Sequence, residues 1–210
     1  MPDGGYDRNV FVNCPFDDDF RPILEAILFC IIDCDLAPRV STERLDAENR
    51  LDKIVDLIAA SRYSIHDLSR VQAGRAGEFA RLNMPFELGV DYGFRRAGGA
   101  FETKRALVIA TGQYSYQVAL SDIAGFDVRS HGNDYVKAIR HVRAWLRSHG
   151  LLVRGPSQII GDYTAFQEWD FERLLAAGWG EADIKERSTP ELFDAMATWI
   201  TEGRPMSGPS

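Results

Sequence analysis

The chain has 210 residues, 45% of them hydrophobic and 26% charged, with a formal net charge of −7 at pH 7. That length suffices for one α/β domain with a full core and an appended helical segment. No window is long and apolar enough for a membrane span, and the acidic balance argues against a broad nucleic-acid footprint while leaving room for a local basic pocket. Cys14, Cys30 and Cys34 form an odd set without a Cys-x-x-Cys pair, which argues against a disulfide framework or a thiolate metal site. The opening residues lack a basic segment leading into an apolar one, so a cytoplasmic location is expected.

Asn9 to Asn13 reads as a first strand, followed by the polar loop Cys14-Pro15-Phe16-Asp17-Asp18-Asp19. From Phe20 to Ile32 the apolar residues Ile23, Ile27, Leu28 and Ile31 recur at helical spacing, and Pro22 is tolerated in a first turn. Leu36 to Ser41 is predicted as the second strand. Glu48 to Ala60 is predicted as an amphipathic helix with Leu51, Ile54, Val55 and Ile58 inward and Arg50, Asp52, Lys53 and Asp56 outward.

The third strand carries His66 and Asp67. After the loop Ser69 to Leu82 a helix is signalled by Asn83 and Pro85, with a stripe of Phe86, Val90 and Phe94 beside Gly89 and Gly93. Gly98 and Gly99 end it. Arg105 to Thr111 has the continuous apolar character of a strand covered on both faces, and Phe126 to Arg129 is expected as a short edge strand. Asn133 or Asp134 caps a helix running to about Ser148 with the stripe Tyr135, Ile139, Val142 and Leu146.

Strands alternating with helices predict a parallel sheet of about five strands in a flavodoxin-like three-layer sandwich. Right-handed crossovers would set the first and third strands side by side at the switch point. The expected organisation is this domain over residues 1–152, a helical C-terminal appendage over 153–203 and a flexible tail over 204–210. The aromatic content of the appendage favours packing against the sandwich or another subunit.

Ligands of open α/β sheets collect beyond the carboxyl ends of the strands, so Asp67 and Glu87 are expected near one pocket. Glu87, placed in the first helical turn, is expected to stay ionised beside the backbone amides. A carboxylate held against a sugar suits cleavage at the anomeric carbon; a capping box would use the same residue without chemistry. His66 is either a ligand contact or proton shuttle, or a core histidine satisfied by backbone, and it points away from Asp67 along a strand. The loop with Arg70, Arg75, Arg81, Gly74 and Gly77 is either a lid over a phosphate or a solvated connection, and Arg70 is its best ligand candidate. The sequence has no Gly-x-Ser-x-Gly elbow, Walker loop or His-Glu-x-x-His site.

The segment Asn83-Met84-Pro85-Phe86-Glu87-Leu88-Gly89 resembles the surroundings of the catalytic glutamate in nucleoside 2-deoxyribosyltransferases, the match centring on Phe-Glu-Leu-Gly. The layout of roughly residues 9 to 148 is similar to TIR-like domains that hydrolyse NAD, with Asn83 standing where such domains often carry a tryptophan. The resemblance implies Glu87 as the catalytic carboxylate and Asp67 as a contact to ribose hydroxyls or the leaving group. It places Cys14, Pro15, Phe16 and Asp17 along the sugar or phosphate; Asp18 and Asp19 read as a solvated turn. His66, Arg70 and Asn83 complete the expected substrate-binding set.

The function expected is N-glycosidic hydrolysis of a nucleotide or nucleoside, NAD or a relative of it, needing no cofactor. A non-catalytic TIR-like nucleotide-sensing or protein-interaction module and a deoxyribosyltransferase are the alternatives. Both resembled families commonly complete their sites through neighbouring subunits, which points to a homo-oligomer.

Overall fold

The computed structural model of the chain describes residues 3–42, 49–72, 80–112, 114–118, 120–123 and 125–206. Its sheet consists of β1 (Asn9–Asn13), β2 (Ala37–Arg39), β3 (Tyr63–Asp67), β4 (Arg105–Ala110) and β5 (Arg129–Ser130), all parallel, in the order β2-β1-β3-β4-β5. The first and third strands are neighbours, Val10 pairing with Tyr63 and Asn13 with His66, as the crossover rule predicts. The architecture is an α/β flavodoxin-like sandwich with a helical C-terminal part. The second strand is shorter than the expected Leu36 to Ser41, and the edge strand begins at Arg129 rather than Phe126.

Strand alternation sorts the helices onto two faces. Val10, Val12, Ile65, Leu107 and Ile109 share a core with α1 (Arg21–Asp33) and α4 (Tyr135–Ser148). Phe11, on the opposite face, packs with Ile54, Leu57 and Ile58 of α2 (Arg50–Ala59) and with Val90 and Phe94 of α3 (Asn83–Ala97). In α2, Leu57 takes the inward place expected of Leu51, which is exposed. Asn49 caps α2 by accepting from the Leu51 amide, and Asp134 caps α4 by accepting from Val136 and Lys137.

Helix α3 departs most from expectation. Its buried positions are Met84, Glu87, Leu88 and Asp91, an i, i+3, i+4, i+7 set containing two carboxyl groups. Gly89 and Gly93 face solvent with open space around them, so they do not bring the helix closer to the sheet, and Phe86 is exposed. The polar side chains on the buried stripe are what hid it from an apolar-periodicity reading. Gly98, at φ 72°, ends the helix as expected.

Every residue of α1 from Ile23 to Ile32 except Glu25 is buried, because α1 lies between the sheet and the C-terminal helices α5 (Pro156–Ala176) and α7 (Thr189–Thr201). Phe29 meets the rings of Tyr163, Phe166 and Trp199 at centroid separations of 5.4–5.8 Å. Asp33, at the end of α1, is bonded by Arg154 at 2.8 Å and Arg204 at 3.0 Å. Helices α5 and α7 therefore extend the core of the sandwich, whereas the short α6 (Glu181–Lys185) buries none of its residues. Among the described residues no helix is long and apolar enough to cross a membrane.

Candidate functional site

A cavity of about 280 Å³ opens at the carboxyl edge of the sheet, beside the β1/β3 switch point. Val12 and Asn13 of β1 and the loop Cys14 to Phe16 form one wall, Ser41 and Arg50 another, and Ala80 to Met84 with Glu87 the third. The structure thus brings together Cys14, Pro15, Phe16, Asn83 and Glu87 from the predicted set. Asn13, Ser41, Arg50 and Arg81 join them without having been singled out for this wall.

Glu87 is 8% exposed. Its carboxyl has no hydrogen-bond or ion-pair partner among the described residues. Helix α3 begins at Asn83, with Leu82 as its N-cap, so Glu87 lies in the second turn and the first turn holds no acidic residue. The expected support from first-turn amides is missing. Burial pushes the Glu87 carboxyl up to about 7, opposed only by the positive charge of Arg50. The expectation that Glu87 tends to stay ionised is corrected accordingly: near neutrality it is poised between its two forms.

Asp67 and His66 sit behind this wall rather than on it. Asp67 is fully buried; its Oδ2 lies 3.0 Å from His131 Nε2 and its Oδ1 accepts from the Ser69 amide at 2.8 Å. The position removes it from direct contact with a cavity ligand. Ser69, His131 and Asp67 do not form a nucleophile triad, because the serine Oγ and the carboxylate meet the same ring nitrogen, and Ser69 Oγ already accepts from the Thr111 amide. His131 Nδ1 accepts from Asn133 N–H, so the cluster braces the end of β3 against β5 and the start of α4.

His66 points to the other face, as strand alternation requires. Its Nδ1 accepts from Asn13 Nδ2 at 2.9 Å and its Nε2 donates to Asp91 Oδ2 at 3.1 Å. Asn13 Nδ2 also donates to the Met84 carbonyl at 2.9 Å, tying the first turn of α3 to the end of β1. Asp91 is bonded by Ser64 Oγ and paired with Lys104 Nζ at 3.0 Å. Against the opposing effect of burial, the His66 hydrogen bond and the Lys104 charge hold Asp91 down at about 2. Lys104, itself buried, also donates to the carbonyls of Ile58 and Ser61 at the end of α2. Asp91 and Lys104 were invisible to motif reading; only the i+4 spacing from Glu87 to Asp91 signals a shared face.

Asp17 and Arg70 likewise bind each other and do not line the cavity. Arg70 reaches Asp17 through two nitrogens at 2.9 and 3.2 Å, and Arg81 joins at 3.2 Å. The Arg70 hydrogen bond is the leading cause that lowers the Asp17 carboxyl below its ordinary value. The two ends of the Ser69 to Leu82 loop are pinned on one carboxylate; its middle, with Gly74, Arg75 and Gly77, lies outside the described residues. Burial, with the Asp67 charge adding to it, pushes the Cys14 thiol up, so Cys14 contributes shape and no thiolate.

Among the described residues no group of three His, Cys, Asp or Glu side chains is placed to hold a metal ion. A larger cavity of about 670 Å³ lies between α1, α5 and α6. Arg21 is paired there with Glu25 and Arg187 with Asp170, and the cavity lies away from the carboxyl edge of the sheet where Glu87 stands.

The fold and site together define an α/β sandwich with one poised carboxyl at its switch-point crevice. No protein-family model matches the chain, and no curated protein matches it. Among solved structures it is similar to the TIR domains of the activated Roq1 resistosome directly recognizing the pathogen effector XopQ. The identity is 12% and the TM-score 0.42, over 74% of this chain and 96% of that one.

Proposed function

We propose that the chain is an N-glycosidase acting on a nucleotide or nucleoside, NAD among the candidates, with Glu87 as its catalytic carboxyl. The observation that carries this reading is a nearly buried carboxyl, without a partner, raised to about 7 and facing a cavity of nucleotide-fragment size. Glu87 is the one carboxyl among the described residues that line this cavity. An O-glycoside needs a second carboxyl to protonate its leaving oxygen. A nucleobase needs less help, because it departs as a stabilised or neutral heterocycle. The C1′–N bond breaks with its electron pair leaving on the base, and the Glu87 carboxylate balances the positive charge that develops on the sugar. Water then supplies the oxygen at C1′ and its proton passes to Glu87, a transfer suited to a group that titrates near neutrality.

The apolar side chains of Phe16 and Leu82, which line the cavity and remain exposed, support completion of the site by a second subunit. The test is to incubate the purified chain with NAD, nucleotides and nucleosides and to follow free base by chromatography. Base release abolished in Glu87→Gln with the fold intact is the expected result; turnover retained in that variant overturns the mechanism. A ligand that raises the melting temperature yet emerges intact replaces hydrolysis by sensing.

A further inference from the structure

Most arginines of this chain place their charge on a carboxylate, as Arg62 does on Asp7 and Arg154 on Asp33 and Asp162. Arg50 is different. It is exposed at the first position of α2 and lines the Glu87 cavity, and no hydrogen bond or ion pair occupies its guanidinium among the described residues. Arg81 lines the same cavity. It shares the Asp17 carboxylate with Arg70, so Asp17 is divided between two guanidiniums. The described walls of the cavity thus carry two arginines against one buried carboxyl, on a chain whose net charge is −7. A guanidinium presents a fork of N–H donors matched to phosphate oxygens, and one that meets no protein acceptor keeps those donors for a ligand.

We infer that Arg50, assisted by Arg81, forms a phosphate subsite, so that the Glu87 cavity takes a phosphorylated riboside in preference to its unphosphorylated counterpart. This rests on the reading of Glu87 as the group that faces the sugar, and it narrows the substrate class of that site. At the start of α2 the Asn49 side chain already takes the Leu51 amide, so the subsite is assigned to the guanidinium and not to that amide. The size of the cavity agrees: about 280 Å³ lies at the lower edge of small-molecule sites, on the order of 300–1,000 Å³. A volume of that order suits one riboside with its phosphate better than a whole dinucleotide.

The experiment is calorimetric titration of the full chain with ribose 5-phosphate and with ribose, probes that contain no base and so do not depend on cleavage. Ribose 5-phosphate is expected to bind at least tenfold more tightly than ribose. Arg50→Gln should remove most of that preference without altering the affinity for ribose, and Arg81→Gln should remove a smaller part. Arg50 lies on the surface, so far-UV circular dichroism and the melting temperature of Arg50→Gln should match the parent; Arg81→Gln provides a second variant on a different element. Equal binding of the two probes, no measurable binding of ribose 5-phosphate at millimolar concentration, or a preference that survives both substitutions overturns the subsite. A parallel assay of base release from nucleosides and their monophosphates separates the two readings. Phosphate-dependent binding without base release removes the glycosidase and keeps the subsite. Base release with no preference for the monophosphate removes the subsite and keeps the glycosidase.

Discussion

Glu87 is held where its charge is unfavourable, and the consequence has a definite sign. Burial raises its carboxyl from 4.5 to about 7, so the folded chain binds a proton more tightly than the unfolded chain does. This group therefore lowers stability progressively as pH rises from about 4.5 to about 7, and the penalty is complete above that window. Glu87→Gln removes the titration. Relative to the parent, the variant should gain stability on the order of 2 kcal/mol between pH 5 and pH 8, read from urea unfolding at the two pH values. In the same samples base release should vanish, the trade of activity against stability expected of a functional carboxyl. Since the reaction uses the ionised form, kcat/KM of the parent should climb with pH to a plateau, its midpoint near 7. Arg50→Ala should move that midpoint upward, because Arg50 is the charge that favours ionisation. A midpoint that stays put after Arg50→Ala would show that the arginine is not felt at Glu87.

At the scale of elements, α3 is positioned by polar contacts rather than by an apolar stripe. Asp91 is bonded by His66 and Ser64 and paired with Lys104, all buried or nearly so, and Lys104 in turn holds the last carbonyls of α2. Removing Asp91 leaves the Lys104 ammonium buried without its counter-charge and His66 Nε2 without its acceptor, so Asp91→Ala should cost about 3–5 kcal/mol in denaturant unfolding at pH 7. The Asp91 carboxyl is held at about 2, below its unfolded 3.8, so its stabilisation is present above about 3.8 and is lost as pH falls toward 2. The parent should lose stability across that acid window, and Asp91→Asn should flatten the dependence. These contacts also mark the limit of what could be read from the residues alone. Strand order, the α4 cap and the α3 stop were legible, because alternation, Asp134 and Gly98 act locally. Glu87 could be singled out by its motif, yet its titration could not, since that depends on walls contributed by residues far apart in sequence. Asp67, expected to assist Glu87 at the ribose, is instead engaged by His131, 64 residues away, a contact that local sequence does not signal.

For the whole molecule, the decisive relationship is between α1 and the C-terminal helices. An ordinary sandwich helix buries one stripe, but α1 buries both faces, and Phe29, Tyr163, Phe166 and Trp199 interlock on its outer side. Asp33, Arg154, Asp162 and Arg204 tie the end of α1 to the start of α5 and to the segment after α7. Ending the chain at residue 152 would uncover apolar surface on α1 and leave the Asp33 carboxylate without Arg154 and Arg204, which costs several kcal/mol on top of the lost burial. The cavity loop Cys14 to Phe16 leads directly into α1, so loosening that helix should reach the site. Two outcomes follow from this continuity. The intact chain should unfold in one cooperative step, with tryptophan fluorescence, which reports Trp145, Trp169, Trp179 and Trp199, coinciding with far-UV circular dichroism. Trp199→Ala, which truncates a fully buried ring, should lower stability by about 3–5 kcal/mol and raise KM for the substrate together with the unfolding rate. Separate transitions for the two probes, with activity surviving in a chain ended at residue 152, would instead make the C-terminal helices an independent unit resting on a self-sufficient sandwich.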